Sequence, residues 1–102
     1  MSDHLNLLSL SSKVRRNENS LSAEVDDALV LMCIERGHYY SLDTIGANIW
    51  QRLEHWIAVS ELCTILGTEY DADPETIQRD ILALLESLAK ECLIEIKPDS
   101  TT

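Results

Sequence analysis

Hydrophobic and polar positions fall into two textures along this chain. Up to about Leu42 the apolar residues come in short runs, and from Asp43 onward they recur every three to four residues. Ala28-Leu29-Val30-Leu31-Met32-Cys33-Ile34 is a continuous apolar run bounded by Asp26-Asp27 and Glu35-Arg36-Gly37. Its length and branched residues predict a strand rather than a helix. Glu35-Arg36-Gly37 predicts a tight turn, with Gly37 supplying a positive φ, and His38-Tyr39-Tyr40-Ser41-Leu42 is then the returning strand. Val14 to Glu18 predicts one more short strand, so the first third reads as a small antiparallel meander of three strands.

The helical half is read from caps and stripes. Asp43 is an N-cap for a first helix with Ile45, Ile49, Trp50 and Leu53 on one side, and Gly46 inside it permits close packing. Trp56-Ile57-Ala58-Val59 connects to a second helix with Ser60 as N-cap, Leu62, Cys63, Ile65 and Leu66 inward, and an end at Gly67 or shortly after. Asp73 caps the third helix, Pro74 sits at its first position where a missing N–H costs nothing, and Glu75 suits the N-terminal dipole. Ile77, Ile81, Leu84, Leu85, Leu88 and Cys92 then form one apolar stripe, and Leu93-Ile94-Glu95-Ile96 finishes as a short extended segment. Residues 1–12, rich in Ser and Asn, read as a flexible N-terminal arm, 13–96 as the folded domain and 97–102 as a polar tail. The fold class is α+β, winged-helix-like: a three-stranded antiparallel sheet followed by a three-helix bundle.

Charge narrows the function. Eighteen acidic against eight basic residues give a net charge of −10 in 102 residues, a field that repels nucleic-acid phosphate and anionic lipid. A winged helix suggests DNA, yet the third helix offers Gln78, Arg79 and Lys90 against Glu75, Asp80, Glu86 and Glu91. An acidic carrier protein needs an Asp-Ser-Leu at a helix start, and only Asn19-Ser20-Leu21 and Glu86-Ser87-Leu88 come near it. Cys33, Cys63 and Cys92 are odd in number and about thirty residues apart, and His4, His38 and His55 have no partner at metal or catalytic spacing. No metal, cofactor or catalytic constellation is expected, and neither a signal peptide nor a membrane span. The chain is expected to be cytoplasmic.

Tyr40-Ser41-Leu42-Asp43-Thr44-Ile45-Gly46-Ala47-Asn48-Ile49-Trp50 resembles the PqqD-like family, whose pattern is Tyr-x-Leu-Asn, two residues, Gly, two residues, Ile-Trp. Leu29-Val30-Leu31 upstream and Ile77 to Leu88 downstream are similar to the family's strand and last helix, so the likeness spans roughly residues 13–96. Asp43 stands where the family has Asn, and it keeps the N-cap.

The resemblance implies a non-catalytic recognition module for ribosomally made, post-translationally modified peptides. Such a module binds the leader of a precursor peptide and presents it to a separate enzyme, a radical SAM enzyme or leader peptidase, in coenzyme PQQ, lasso-peptide or related biosynthesis. It implies that the leader adds as a strand to the edge of the last strand, here His38, Tyr39, Tyr40, Ser41 and Leu42, and packs into a groove against the last helix. Turning about 100° per residue from Ile77 places Gln78, Leu82, Leu85 and Ala89 on one shoulder of the stripe, the expected far wall. Alternation puts Tyr40 inward and Tyr39 toward solvent or peptide. Trp50 is expected to lock the first helix to the sheet, and Trp56 to lie at the surface. Nucleic acid and membrane are not expected partners; an unpaired edge and a detachable arm leave a monomer and a weak or swapped dimer both open.

Overall fold

The computed structural model describes residues 8–97. The three-stranded antiparallel meander forms, with a different first strand. It consists of β2 (Ser20–Val25), β3 (Ala28–Cys33) and β4 (Tyr39–Leu42), in that spatial order. β2 alternates Ser20, Ser22 and Glu24 with Leu21, Ala23 and Val25, the period of a strand, and it joins β3 through a two-residue turn in which Asp26 takes φ 57°. The second hairpin closes as expected, Gly37 at φ 75° and its N–H donating to the Cys33 carbonyl at 2.8 Å.

The segment expected to open the meander is instead β1 (Lys13–Arg16), and it belongs to another sheet. It lies between β5 (Ile57–Ala58) and β6 (Ile94–Lys97), antiparallel to both. Both partners are remote in sequence, and Val14 is the one fully buried residue in the strand. Arg16 fastens this sheet to the first helix: its Nε donates to the Trp50 carbonyl at 3.0 Å, and its guanidinium lies 5.1 Å from the Trp50 ring centre. Trp50 is 2% exposed, as its structural role requires, and Trp56 is half-buried between Arg15 and Lys97.

The helices are α1 (Thr44–Arg52), α2 (Val59–Tyr70) and α3 (Pro74–Lys90). Asp43 caps α1 and Asp73 caps α3, accepting from the N–H groups of Gly46 and Thr76. α2 departs from expectation at its start. Its N-cap is Ala58, without a side-chain cap, because Val59 N–H donates to the Ser12 carbonyl and Ser60 N–H to the Leu10 carbonyl. The preceding chain does what a Ser60 hydroxyl was expected to do. α2 also continues past Gly67 to Tyr70 and stops at Asp71, φ 51°. Cys92 lies beyond the α3 cap at φ 61°, outside the helical stripe.

Those same bonds show that residues 8–12, expected within the loose arm, are docked: Ser12 is fully buried, and Leu8 and Leu10 pack on the core. Residues 1–7 of that arm and 98–102 of the tail lie outside the described residues. The core joins Leu31, Cys33 and Leu42 of the meander to Ile49, Trp50 and Leu53, to Leu62 and Leu66 of α2, and to Ile77, Ile81, Leu85 and Leu88 of α3. Among the described residues no helix is long and apolar enough to cross a membrane.

Candidate functional site: a free strand edge beside an apolar groove

β4 is an outer strand: among the described residues it pairs with β3 alone, so its other edge carries unpaired backbone N–H and C=O groups. Alternation along it is clear. Leu42 is buried and Tyr40 half-buried, both toward the core, while Ser41 is exposed and Tyr39 is 76% exposed on the opposite face.

Beside this edge runs a groove of about 660 Å³. Tyr40, Ser41 and Leu42 form one wall, Ile77, Asp80, Ile81 and Leu84 of α3 the other, and Asp43, Ile45, Gly46 and Ile49 close the end at α1. Ile45, expected on the packed side of α1, is 39% exposed because it faces this opening. α3 runs antiparallel to β4. His38, just before the strand, is exposed with Nδ1 3.3 Å from Glu91 Oε1 past the helix end, while Leu42 lies toward the helix start. Arg36 ties the same corner, donating to the Lys90 carbonyl at 3.2 Å and to Cys92 Sγ at 3.5 Å. The Cys92 contact raises the Arg36 pKa above its usual value.

Of the expected strand residues, Tyr40, Ser41 and Leu42 therefore line the groove, Tyr39 lies on the edge strand with its ring on the outer face, and His38 lies outside both; the expected helix residues do not line it. Gln78 lines a separate hollow with Leu10, Cys63 and Pro74 between α2 and α3. Leu85 is fully buried in the core, and Leu82 and Ala89 are half-buried against it, off the groove. An apolar stripe has two shoulders, and the helical wheel treats them alike. What separates them is the fold: α2 packs on the Gln78 side, and β4 with α1 on the side of Asp80 and Leu84. Sequence reasoning missed Asp80 as a wall residue and assigned Leu84 to the core. No local signal distinguishes the shoulders, although the apolar Ile45 at an exposed helix start marks the groove's end.

The groove is apolar with an acidic rim. Its charged lining residues are Asp43 and Asp80. Asp43 Oδ1 accepts the Gly46 N–H at 2.8 Å, so this carboxylate is engaged in capping, whereas Asp80 stands exposed at the rim. Gly46 lets α1 start hard against β4, since a Cβ there would lie 3.0 Å from Leu42 Cδ2 and 3.2 Å from Leu42 Cβ. Leu42 is 4% exposed and must shift by a few tenths of an ångström to admit that Cβ. Gly46→Ala is therefore expected to destabilise the domain by about 1 kcal/mol, overpacking outweighing the roughly 1 kcal/mol that Ala gains in a helix. A lower urea midpoint would show it; a raised midpoint would mean that Leu42 yields.

Cys63 faces the other hollow, where burial pushes its thiol pKa up and so keeps it protonated. Among the described residues no group of three or more His, Cys, Asp or Glu could hold a metal ion. The serines nearest a carrier motif do not start helices: Ser20 opens β2 and Ser87 lies within α3.

Residues 28–94 match the profile of the family described as Coenzyme PQQ synthesis protein D (PqqD), a span that contains β3, β4, the groove and all of α3. The chain is 36% identical over 72 residues to the bifunctional coenzyme PQQ synthesis protein C/D of Methylorubrum extorquens, which is 71% of this chain and 19% of that relative. It thus spans about a fifth of the relative's length. Among solved structures it is similar to the PqqD truncation of Methylobacterium extorquens PqqCD, described as a stand-alone recognition element for ribosomally synthesised and post-translationally modified peptides. Identity there is 29% and TM-score 0.73, with 86% of this chain and 94% of the other covered. It is also similar to TbiB1 in complex with the TbiA(beta) leader peptide, at 31% identity and TM-score 0.68 over 79% and 94% of the two chains. A lasso peptide synthetase B1 complexed with the leader peptide matches at 28% identity and TM-score 0.69 over 80% and 96%. By the span of the family match and by the fold that carries it, this chain belongs to the PqqD family.

Proposed function

We propose that the domain binds the leader segment of a ribosomally synthesised precursor peptide by adding it as a strand to the free edge of β4, with alternate peptide side chains seated against α3. The observation that carries this is the juxtaposition of an unpaired main-chain edge with an apolar groove. Two of the similar structures, TbiB1 and the lasso peptide synthetase B1, are described as complexes with leader peptides.

β2 is the other edge of the same sheet and offers six residues, two more than β4. The groove favours β4. The inner side of β2 carries Ser20, Ser22 and Glu24, and the hollows beside it are lined by Arg15, Arg16 and Glu54 at one end and Asp26 and Asp27 at the other. A strand added there would gain hydrogen bonds and no apolar seat, whereas β4 provides both. Asp80 on the rim and the net charge of −10 favour leaders with Lys or Arg beside their apolar anchors.

The domain contributes recognition rather than chemistry and hands the peptide to a separate modifying enzyme, of radical or peptidase type. The three cysteines are free, which suits the reducing cytoplasm. The test is an amide-shift titration of the labelled domain with the leader of the precursor encoded beside it. Tyr39 to Leu42 and Ile77 to Leu84 are expected to shift together and saturate. A leader N-methylated at alternate residues should lose binding for one parity only, because only every second residue of an added strand turns its N–H toward β4. Shifts confined to Gln78 and the α2 side, or equal losses for both parities, would discard strand addition at β4.

A further inference from the structure

The free edge of β2, at the far side of the sheet from β4, carries three features that share one centre. The Asn19 carbonyl accepts the Ile34 N–H at 3.0 Å, so Asn19, Leu21, Ala23 and Val25 are the residues hydrogen-bonded to β3. The alternate residues Ser20, Ser22 and Glu24 turn their backbone groups to the open side. Ser20 N–H already donates to the Asn17 carbonyl at 3.0 Å, which leaves Ser22 and Glu24 with both N–H and C=O open, one on each side of Ala23. Leu21 and Val25, each 52% exposed on the outer face, flank Ala23 at equal distance as well. On the inner side the charge changes sign across the same point. Half-buried Arg16, without an ion-pair partner among the described residues, lines a hollow of about 320 Å³ with Ser20 and Ser22. Glu24, Asp26 and Asp27 line one of about 240 Å³ toward the other end.

We propose that this edge pairs antiparallel with the β2 edge of a second copy of this chain, about a two-fold axis at Ala23, giving a six-stranded sheet with a free β4 edge at each end. Leu21-Ser22-Ala23-Glu24-Val25 reads apolar, polar, small, polar, apolar in either direction, so the strand is complementary to its own reverse. Ser22 exchanges both backbone bonds with the partner's Glu24, using the groups the fold leaves open. Leu21 stands across from the partner's Val25 in a close, non-hydrogen-bonded pair on the outer face. The Glu24 carboxylate is carried toward the hollow that holds the partner's Arg16, and symmetry makes this contact twice. A leader brings no such match to this edge, whereas a second β2 supplies all of it. The −10 on each copy is screened beyond ~8 Å at physiological salt, and Glu24 meets Arg16 inside that distance. One strand edge covers well under the ~800 Å² per partner of a stable complex, so the dimer is weak, with a Kd expected near ~0.1 mM. Where the strand-addition reading above holds, the dimer carries two leaders, on β4 edges five strand spacings or about 24 Å apart.

Sedimentation equilibrium of the whole chain at physiological salt is expected to show a monomer passing to a dimer around that concentration, and a monomer up to ~1 mM overturns the proposal. The register is read by oxidising added cysteines with oxidised glutathione, the wild type with Cys33, Cys63 and Cys92 serving as background. Ala23→Cys lies on the axis, where a non-hydrogen-bonded pair holds its Cα atoms about 4.5 Å apart, within disulfide reach, and is expected to give covalent dimer. Leu21→Cys and Val25→Cys are each expected to give none alone, their symmetry mates standing about 14 Å away, and to cross-link when mixed. No cross-link at Ala23→Cys, or an equal yield from Leu21→Cys alone, overturns the pairing. Leu21→Lys/Val25→Lys sets Lys against Lys and is expected to weaken the dimer at least about tenfold, with folding checked by circular dichroism. It adds two positive charges, taking the net charge from −10 to −8, so charge alone would favour association. Unchanged dimerisation in this variant also overturns the proposal. All of these measurements run without leader, so a dimer that binds no leader supports the pairing and removes only the strand-addition reading. Leader added to the dimer is expected to bind each protomer and leave dimerisation within about twofold. A leader that dissolves the dimer would place the contact on β4 and overturn pairing through β2.

Discussion

Replacing Leu84 by Asp is expected to weaken leader binding by about 100-fold while the domain stays folded. Leu84 is half-buried and lines the α3 wall of the groove across from β4, so part of its side chain waits for a partner. Covering an apolar side chain of this size contributes roughly 1.5–3 kcal/mol, and a carboxylate in its place adds a desolvation cost. It would also stand one turn from Asp80, doubling the negative charge on that wall. A total of about 3 kcal/mol corresponds to about two orders of magnitude in Kd. Leu82→Asp is the matched comparison: same helix, same chemistry, also half-buried, but off the groove. It should cost stability and leave Kd within about threefold, by titration calorimetry at a temperature where both variants are folded. The reverse pattern would seat the peptide on the Gln78 side of α3.

That contrast marks where the sequence stops being legible. Whatever is local was readable: the apolar run of β3, the turn at Gly37, the returning strand, Asp43 and Asp73 as caps, Pro74 at the start of α3. Each is set by neighbours within a few residues, through backbone conformation or capping. The alternation of Ser20 to Val25 was just as local. It is a strand signal at ordinary strength, eclipsed by the stronger apolar run beside it, and Val14 took its place in the expected meander.

Other features were not local. β1 is a strand because β5 and β6 reach it from far along the chain, and α2 starts at Val59 because the Leu10 and Ser12 carbonyls accept its first N–H groups. The choice between the two shoulders of α3 belongs to this second kind. Periodicity gives the direction of the stripe and nothing about which neighbour lies left or right of it. The free edge of β4 was accessible through the family resemblance, and its groove needed the packing of α1 and α3 to be seen.

Leu85→Ala separates a core role from a groove role at the position where the two were hardest to tell apart. Leu85 is fully buried among the helix residues of the core, with no face on the groove. Truncation removes its transfer free energy and leaves a cavity, about 2–5 kcal/mol together. Native domains hold about 5–15 kcal/mol in all, and one of this length sits toward the lower part, so a loss near 3 kcal/mol takes a large share. Tm should fall by roughly 12–24 °C, and the urea midpoint with it at unchanged slope, since the surface exposed on unfolding is nearly the same. Leader affinity of the folded fraction should remain within about twofold. A Leu85 that lined the groove would do the opposite, sparing the fold and costing affinity, so the ratio of the two effects in this one variant reports which side of α3 faces the peptide.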